Sequence, residues 1–147
     1  MKKVEIFTDG ACRGNPGPGG WGAILRYNNK EKEICGGEKD TTNNRMEILA
    51  VIKALDILKE PCEVTLYSDS QYVCNAISKG WAKKWRDNGW KRNKNQPALN
   101  KDLWERLLLL LEKHVVNVVW IKGHAGHEEN ERCDILAVKA AEKVNLE

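Results

Sequence analysis

Residues 43–58, Asn43-Asn44-Arg45-Met46-Glu47-Ile48-Leu49-Ala50-Val51-Ile52-Lys53-Ala54-Leu55-Asp56-Ile57-Leu58, read as one helix, and its place in the chain decides the fold. Asn43 or Asn44 offers an N-cap, and Pro61 is a stop just beyond the end. On a helical projection Glu47 has Leu58, Val51, Ala54, Leu55 and Ala50 as angular neighbours, with Lys53, Asp56, Lys59 and Glu60 opposite. Leu49 and Ile52 blur that boundary without erasing it. A carboxylate therefore sits in the middle of an apolar face.

Before this helix, Val4 to Asp9 is β-rich and predicts a first strand. The stretch from Gly10 to Gly20 is dense in Gly and Pro and predicts irregular chain. Trp21 to Tyr27 and Lys32 to Gly37 flank Asn28-Asn29-Lys30, a hairpin signal. After the helix come a predicted strand at Glu63 to Ser68 and helices at Ser70 to Ser78, Trp81 to Asn88 and Asn100 to Lys113. A strand at Val115 to Ile121, a Gly/His loop and a helix from Glu129 to Lys143 complete the chain. Three strands, helix, strand, helices, strand, helix is the order of an α/β protein with a mixed sheet: a hairpin first, then helices crossing over to parallel strands. With no repeat, low-complexity tract or linker, residues 1–147 read as a single domain.

Composition excludes several classes. No run of 18 apolar residues exists, which argues against a membrane-spanning helix, and Glu5 and Asp9 interrupt what would be the apolar part of a secretory leader. The five cysteines (Cys12, Cys35, Cys62, Cys74, Cys133) are scattered with no CxxC spacing, which fits reduced thiols in the cytoplasm better than disulfides or cysteine-bound zinc. Net charge is only +3, but Gly80 to Lys101 holds seven basic residues (Lys83, Lys84, Arg86, Lys91, Arg92, Lys94, Lys101) against Asp87 alone, a local +6, leaving −3 for the remainder. A basic block on a mildly acidic body suggests a polyanionic partner held at one face.

Three further acids stand in informative places. Asp9 and Asp69 end predicted strands, where sites form in open α/β sheets, although an Asp there can also simply cap a turn or helix. Asp134 repeats the pattern of Glu47: Val138, Ala141, Ala137 and Asn130 are its angular neighbours, and Arg132, Lys139 and Lys143 lie across the helix. A buried carboxylate must be paired or bind metal. A salt bridge to an Arg such as Arg45 could satisfy one, but two are harder to explain, since neither apolar face carries a cation. If both faces pack near Asp9 and Asp69, four acids converge, and their repulsion is relieved by hard divalent cations, Mg²⁺ or Mn²⁺ rather than zinc. Two ions about 4 Å apart suit phosphoryl transfer by in-line displacement. The Walker pattern is absent, so nucleoside triphosphate hydrolysis is not indicated.

With those residues in view the chain resembles type 1 ribonuclease H of the bacterial type. The resemblance is carried by Thr8-Asp9-Gly10-Ala11-Cys12-Arg13-Gly14-Asn15-Pro16-Gly17, Thr41-Thr42-Asn43-Asn44-Arg45-Met46-Glu47, Tyr67-Ser68-Asp69-Ser70-Gln71-Tyr72-Val73 and Val119-Trp120-Ile121-Lys122-Gly123-His124-Ala125-Gly126-His127, continuing through Asn130-Glu131-Arg132-Cys133-Asp134. These pieces follow the family's order and span nearly the whole chain. The resemblance implies a five-stranded mixed sheet in order 3-2-1-4-5 flanked by helices, with Asp9, Glu47, Asp69 and Asp134 as the metal-binding catalytic acids. It implies a Mg²⁺-dependent endonuclease, two ions per site with Mn²⁺ a possible substitute. The RNA strand of an RNA–DNA hybrid would be hydrolysed to 3′-hydroxyl and 5′-phosphate ends. A cytoplasmic monomer, with no added N-terminal hybrid-binding domain or reverse-transcriptase segment and a reduced C-terminal tail, is the expectation.

It also implies that His124, in a glycine-flanked loop, assists proton transfer or product release. His127 has no assigned role, and a zinc site of His124, His127 and Cys133 lacks a fourth ligand at zinc spacing. Asn15, Asn43, Asn44 and Gln71, with Cys12, resemble the family's minor-groove contacts; amides donate and accept, so they can read a ribose 2′-hydroxyl. Asn43 or Asn44 could equally cap the helix. Thr42 and Asn15 are candidates for gripping a DNA phosphate. Trp81, Trp85 and Trp90 with Lys84 and Lys91 match the family's basic protrusion, which grips the DNA strand; aromatics there can stack on sugars or bases, or Trp81 and Trp85 can belong to the core, and a mixture is expected. Two other readings remain open: a non-catalytic hybrid-binding module on the same fold, and a nuclease acting on DNA duplexes or junctions.

Overall fold

Asn28 takes a left-handed backbone (φ 55°), a conformation that asparagine tolerates, and reverses the chain between two long antiparallel strands. In the computed structural model, residues 1–123 and 126–147 are described. The elements in chain order are β1 (Lys2–Cys12), β2 (Gly17–Tyr27), β3 (Lys30–Thr41), α1 (Asn43–Ile57), β4 (Cys62–Ser68), α2 (Gln71–Ser78), α3 (Trp81–Asp87), β5 (Lys91–Asn93), β6 (Gln96–Pro97), α4 (Lys101–Lys113), β7 (Val115–Trp120) and α5 (Glu128–Asn145). The main sheet has the order β3-β2-β1-β4-β7. Its first three strands are antiparallel neighbours, whereas β4 and β7 run parallel to β1. This is the expected 3-2-1-4-5 arrangement, because β5 and β6 form a separate small hairpin inside the basic block that the sequence pattern did not reveal.

Side chains alternate across the sheet. Ile6, Ala23 and Leu25 join α1 in the larger core, while Phe7 and Ile24 on the other face meet Cys133 of α5. Helix α1 is buried nearly all round because it packs on β1 and β2 and is also covered by α4. That double cover explains Leu49 and Ile52, which break a one-sided amphipathic pattern. Thr42, rather than Asn43 or Asn44, caps α1, its hydroxyl accepting from the Arg45 amide at 3.2 Å. Among the described residues no helix is long and apolar enough to cross a membrane.

The Gly-rich stretch from Gly10 to Gly20 is not irregular as expected. β1 runs on to Cys12 and β2 begins at Gly17, so only residues 13–16 lie between strands. The glycines mark places where a helix backbone lies directly on the sheet. A Cβ on Gly20 would stand 2.1 Å from the Ala137 carbonyl oxygen and 2.6 Å from the Ala141 nitrogen, and one on Gly22 2.7 Å from the Cys133 carbonyl oxygen. Helix α5 is thereby seated on β2 at backbone distance. A methyl group at Gly20 must push α5 off the sheet. Gly20→Ala is expected to destabilise the protein by about 2–4 kcal/mol in urea unfolding, and an unchanged midpoint would contradict this account of the α5–sheet contact.

Candidate active site

Asp9 lies on β1 and Asp69 directly follows β4, and because these strands are parallel neighbours their C-terminal ends stand side by side. Glu47 arrives from α1, and Gly10 is what admits it: a Cβ at Gly10 would be 2.6 Å from the Glu47 nitrogen. Three carboxylates 22 or more residues apart in sequence thus meet, with one oxygen from each of Asp9, Glu47 and Asp69 lying within 4.8 Å of the others. Asp9 and Glu47 are 5% and 4% exposed, whereas Asp69 is half-buried. Asp134, half-buried on α5, stands outside this tight trio, yet near enough that its charge adds to the electrostatic pressure on Asp9.

Among the described residues no cation offsets the trio. Arg45, the sequence's candidate partner for Glu47, instead grips Asp102 at the start of α4 through two hydrogen bonds of 2.9 and 2.6 Å. Among the described residues no Lys or Arg pairs with Asp9, Glu47, Asp69 or Asp134. Burial first, and then the charge of Asp69, push Asp9 up to about 7, against a partial offset from the Gly10 amide that donates to its Oδ1 at 2.9 Å. Glu47 is raised well above the ordinary carboxylate range, again by burial first and then by Asp9 and Asp69. Glu47 Oε2 is buried with no hydrogen-bond partner. An orphaned carboxylate oxygen among other carboxylates, with no nitrogen or sulfur donor in the group, fits a hard divalent cation.

The predicted nucleic-acid contacts fall into two groups beside this trio. The exposed amides of Asn15 and Asn43 are brought together by the β1–β2 turn and the start of α1, Asn15 Oδ1 accepting from the Asn43 amide at 3.0 Å; Asn44 is exposed on the same turn of helix. The Cys12 thiol donates to main-chain carbonyls, among them Gly14 at 2.9 Å and Thr41 at 3.3 Å, so it shapes that turn. Thr42 is half-buried with its hydroxyl engaged in the cap, and Gln71 is exposed at the first turn of α2, two residues after Asp69. In the second group Trp81, Trp85 and Trp90 are half-buried against the main core. Trp85 packs edge-on to Trp104 and stacks near Tyr72. Tyr72, Trp81, Lys84, Trp85, Asn88, Lys91 and Arg92 line an open cleft of about 590 Å³. All three tryptophans thus belong in part to the core, and Trp81 and Trp85 also line this basic cleft.

His124 lies outside the described residues. His127 gains a role that the sequence left unassigned: its Nδ1 accepts from the Asn130 amide at 3.2 Å, capping α5, and its ring lies against Phe7 and Tyr67. With Cys133 buried and donating to the Phe7 carbonyl at 3.3 Å, neither group is free for zinc. Sequence reasoning missed Gly123, where a Cβ would stand 2.8 Å from Asp69 Oδ2; a glycine just past the last strand was the available signal.

The RNase H family profile matches residues 1–142. A protein named Ribonuclease H from Desulforamulus reducens is 64% identical over 146 residues, covering 99% of this chain and 92% of that one. The crystal structure of LC9-RNase H1, described as a type 1 RNase H with the type 2 active-site motif, superposes with a TM-score of 0.86 at 31% identity over 97% of this chain and 74% of that one. LC11-RNase H1, solved in complex with an RNA/DNA hybrid, superposes at 0.72 with 28% identity over 95% and 97% of the two chains.

The raised carboxyls give a pH signature to the metal-free protein. An acid whose folded pKa lies above its unfolded value favours the folded state when protonated, so stability falls as pH rises from about 4 towards 7 and the deficit is complete above that range. Replacing Asp9 by the neutral isostere removes the deficit. Asp9→Asn is expected to stabilise the metal-free protein at pH 8 by about 2 kcal/mol, an advantage that vanishes near pH 4. Denaturant titrations in chelator at the two pH values test this, and equal stability of the two proteins at pH 8 would refute it.

Proposed function

This chain belongs to the RNase H family of metal-dependent endoribonucleases, and we propose that it hydrolyses the RNA strand of RNA–DNA hybrids at a site built from Asp9, Glu47, Asp69 and Asp134. The observation that carries this reading is the trio of carboxylate oxygens within 4.8 Å, with no Lys or Arg paired to them among the described residues. Asp9, Glu47 and Asp69 would hold the metal between them, with Asp134 closing the side formed by α5. Mg²⁺ is the proposed ion, two per site with Mn²⁺ able to substitute. When bound, the ions supply a Lewis acid and an activated water for in-line displacement at the scissile phosphate, leaving 3′-hydroxyl and 5′-phosphate ends.

The residues around the trio select and hold the substrate. Asn15, Asn43, Asn44 and Gln71 present amides that both donate and accept, the chemistry needed to recognise 2′-hydroxyls across a shallow minor groove. Cys12 and Thr42 fix the turn and helix start that carry those amides, and Thr42 and Asn15 are candidate contacts to a DNA phosphate. Lys84 and Lys91 line one cleft with Trp81 and Trp85, and with Trp90 nearby in the chain they offer cations and ring faces to the DNA strand. The hybrid carried by LC11-RNase H1 supports this choice of partner. Contacts to sugars and phosphates rather than base edges make cutting tolerant of sequence. His124, between Gly123 and Gly126, is assigned to proton transfer or product release. All four acids come from one chain, which supports a monomer as the working unit, and five unpaired thiols support a reducing, cytoplasmic setting. Residues 1–147 then act as one catalytic domain.

Asp9→Asn and Asp69→Asn are expected to lower cleavage by at least about 10³-fold while hybrid affinity stays within about threefold. Labelled hybrid, RNA duplex and DNA duplex assayed side by side in Mg²⁺ test the substrate. Gel shift without cleavage would make the protein a binding module, and comparable cutting of the DNA duplex would reassign it to another nuclease class. Lys84→Ala combined with Lys91→Ala is expected to flatten the dependence of hybrid affinity on salt by about two in logarithmic slope, leaving kcat nearly unchanged.

A further inference from the structure

Of the trio, Asp69 is the least supported by its own burial. It is half-buried and follows the last residue of β4, where the strand's hydrogen-bond ladder ends. The residue before it is well held: the Ser68 carbonyl accepts from the Ile121 amide at 2.9 Å, and its hydroxyl oxygen accepts from the Ser70 amide at 3.1 Å. The carbonyl of Asp69 itself is met by a side chain from another strand, Trp120, whose indole Nε1–H donates to it at 3.1 Å. Trp120 ends β7 in register with Ser68, so the indole reaches one residue beyond the last paired position. The residue is 47% exposed, so burial does not account for a tryptophan there. The indole N–H, which a phenyl ring lacks, is what makes this contact.

Three residues further on, Gly123 faces the carboxylate of the same aspartate. A Cβ at Gly123 would stand 2.8 Å from Asp69 Oδ2 and 3.5 Å from its Cγ. A side chain there would crowd that oxygen, so the carboxylate would have to shift from its place in the trio. One segment therefore touches Asp69 twice, at its main chain through Trp120 and at its side chain through Gly123.

We propose that Trp120 and Gly123 are positioning residues for the reaction, holding the Asp69 carboxylate in the trio where it can ligate a divalent cation. This rests on the reading of Asp69 as a metal ligand. Ligand orientation set by a hydrogen bond one shell out governs metal affinity and turnover at such sites, and displacement by a fraction of an ångström is costly.

The test uses the full chain with Trp120→Phe, which keeps an aromatic ring and deletes the N–H, and Gly123→Ala as an independent second variant, with Asp69→Asn run alongside. Steady-state kinetics on labelled hybrid, Mn²⁺ binding by calorimetry without nucleic acid, and the thermal midpoint in chelator are measured. For Trp120→Phe we expect kcat to fall about tenfold with KM within about twofold, and the Mn²⁺ dissociation constant to rise about fivefold, while the metal-free midpoint moves by no more than a few degrees. Gly123→Ala should lose activity and Mn²⁺ affinity in the same direction. Wild-type kcat and Mn²⁺ affinity in both variants would overturn the proposal, as would a raised KM with unchanged kcat, which would make the exposed ring a substrate contact. Loss of activity in parallel with a collapsed midpoint in both variants would overturn it too, in favour of a purely structural role. Full activity in Asp69→Asn would instead remove the ligand reading on which the proposal stands.

Discussion

Like charges held close together in a dry place govern this molecule. Two carboxylates 4.8 Å apart repel by about 3 kcal/mol at an effective dielectric of about 20, and here three such groups meet with two of them almost fully buried. A chain left to itself would turn these side chains outward. They stay because their backbones are fixed by elements that have no freedom to move: the paired ends of β1 and β4, and a helix pressed onto β1 at Gly10. The fold supplies the force that gathers the acids, and a bound divalent cation removes the cost of gathering them.

Close approach of backbones makes this possible. Gly10 brings α1 and Glu47 to the strand that carries Asp9, Gly20 and Gly22 seat α5 and hence Asp134 on the other face, and Gly123 leaves room beside Asp69. At Gly10 the missing side chain would stand between two elements that each carry one of the acids, Asp9 on β1 and Glu47 on α1. The same residues explain why β1 and β2 extend so far: a strand of glycines is a poor strand alone, but a helix lying on it supplies the packing that its missing side chains cannot.

Charge is segregated along the same lines. The acids gather around the ends of β1 and β4, Asp9 and Asp69 from the strands and Glu47 from α1, and the cations gather on α3 and the β5–β6 hairpin, next to tryptophans packed on the main core. Arg45 links the two regions. It stands two residues from Glu47 yet pairs with Asp102 at the head of α4, just after the basic block. The partly exposed pair contributes little to stability by itself, but it ties the helix of Glu47 to the end of the segment that carries the cations. Tyr72, one residue past Gln71, joins the same seam by accepting hydrogen bonds from Asn100 and from the Trp104 indole.

The amino-acid sequence alone determined the order of the main-sheet strands and the helices, the burial of Glu47 against an apolar face and the concentration of positive charge between Gly80 and Lys101. These are local properties, carried by periodicity and composition. The motifs around Asp9, Glu47, Asp69 and Asp134 named the acids one by one. Only the tertiary structure decided that three of them form a tight trio with Asp134 standing slightly apart, because that depends on strand adjacency and on where two helix axes lie. It also decided that Thr42 rather than Asn43 or Asn44 caps α1, that the glycines after Asp9 belong to strands, and that Trp120 and Gly123 touch Asp69. A glycine reads as a turn when its neighbours in space are unknown, and an indole's partner on another strand leaves no trace in local sequence. Side chains that act at a distance in the chain acquire their meaning from what the fold places opposite them.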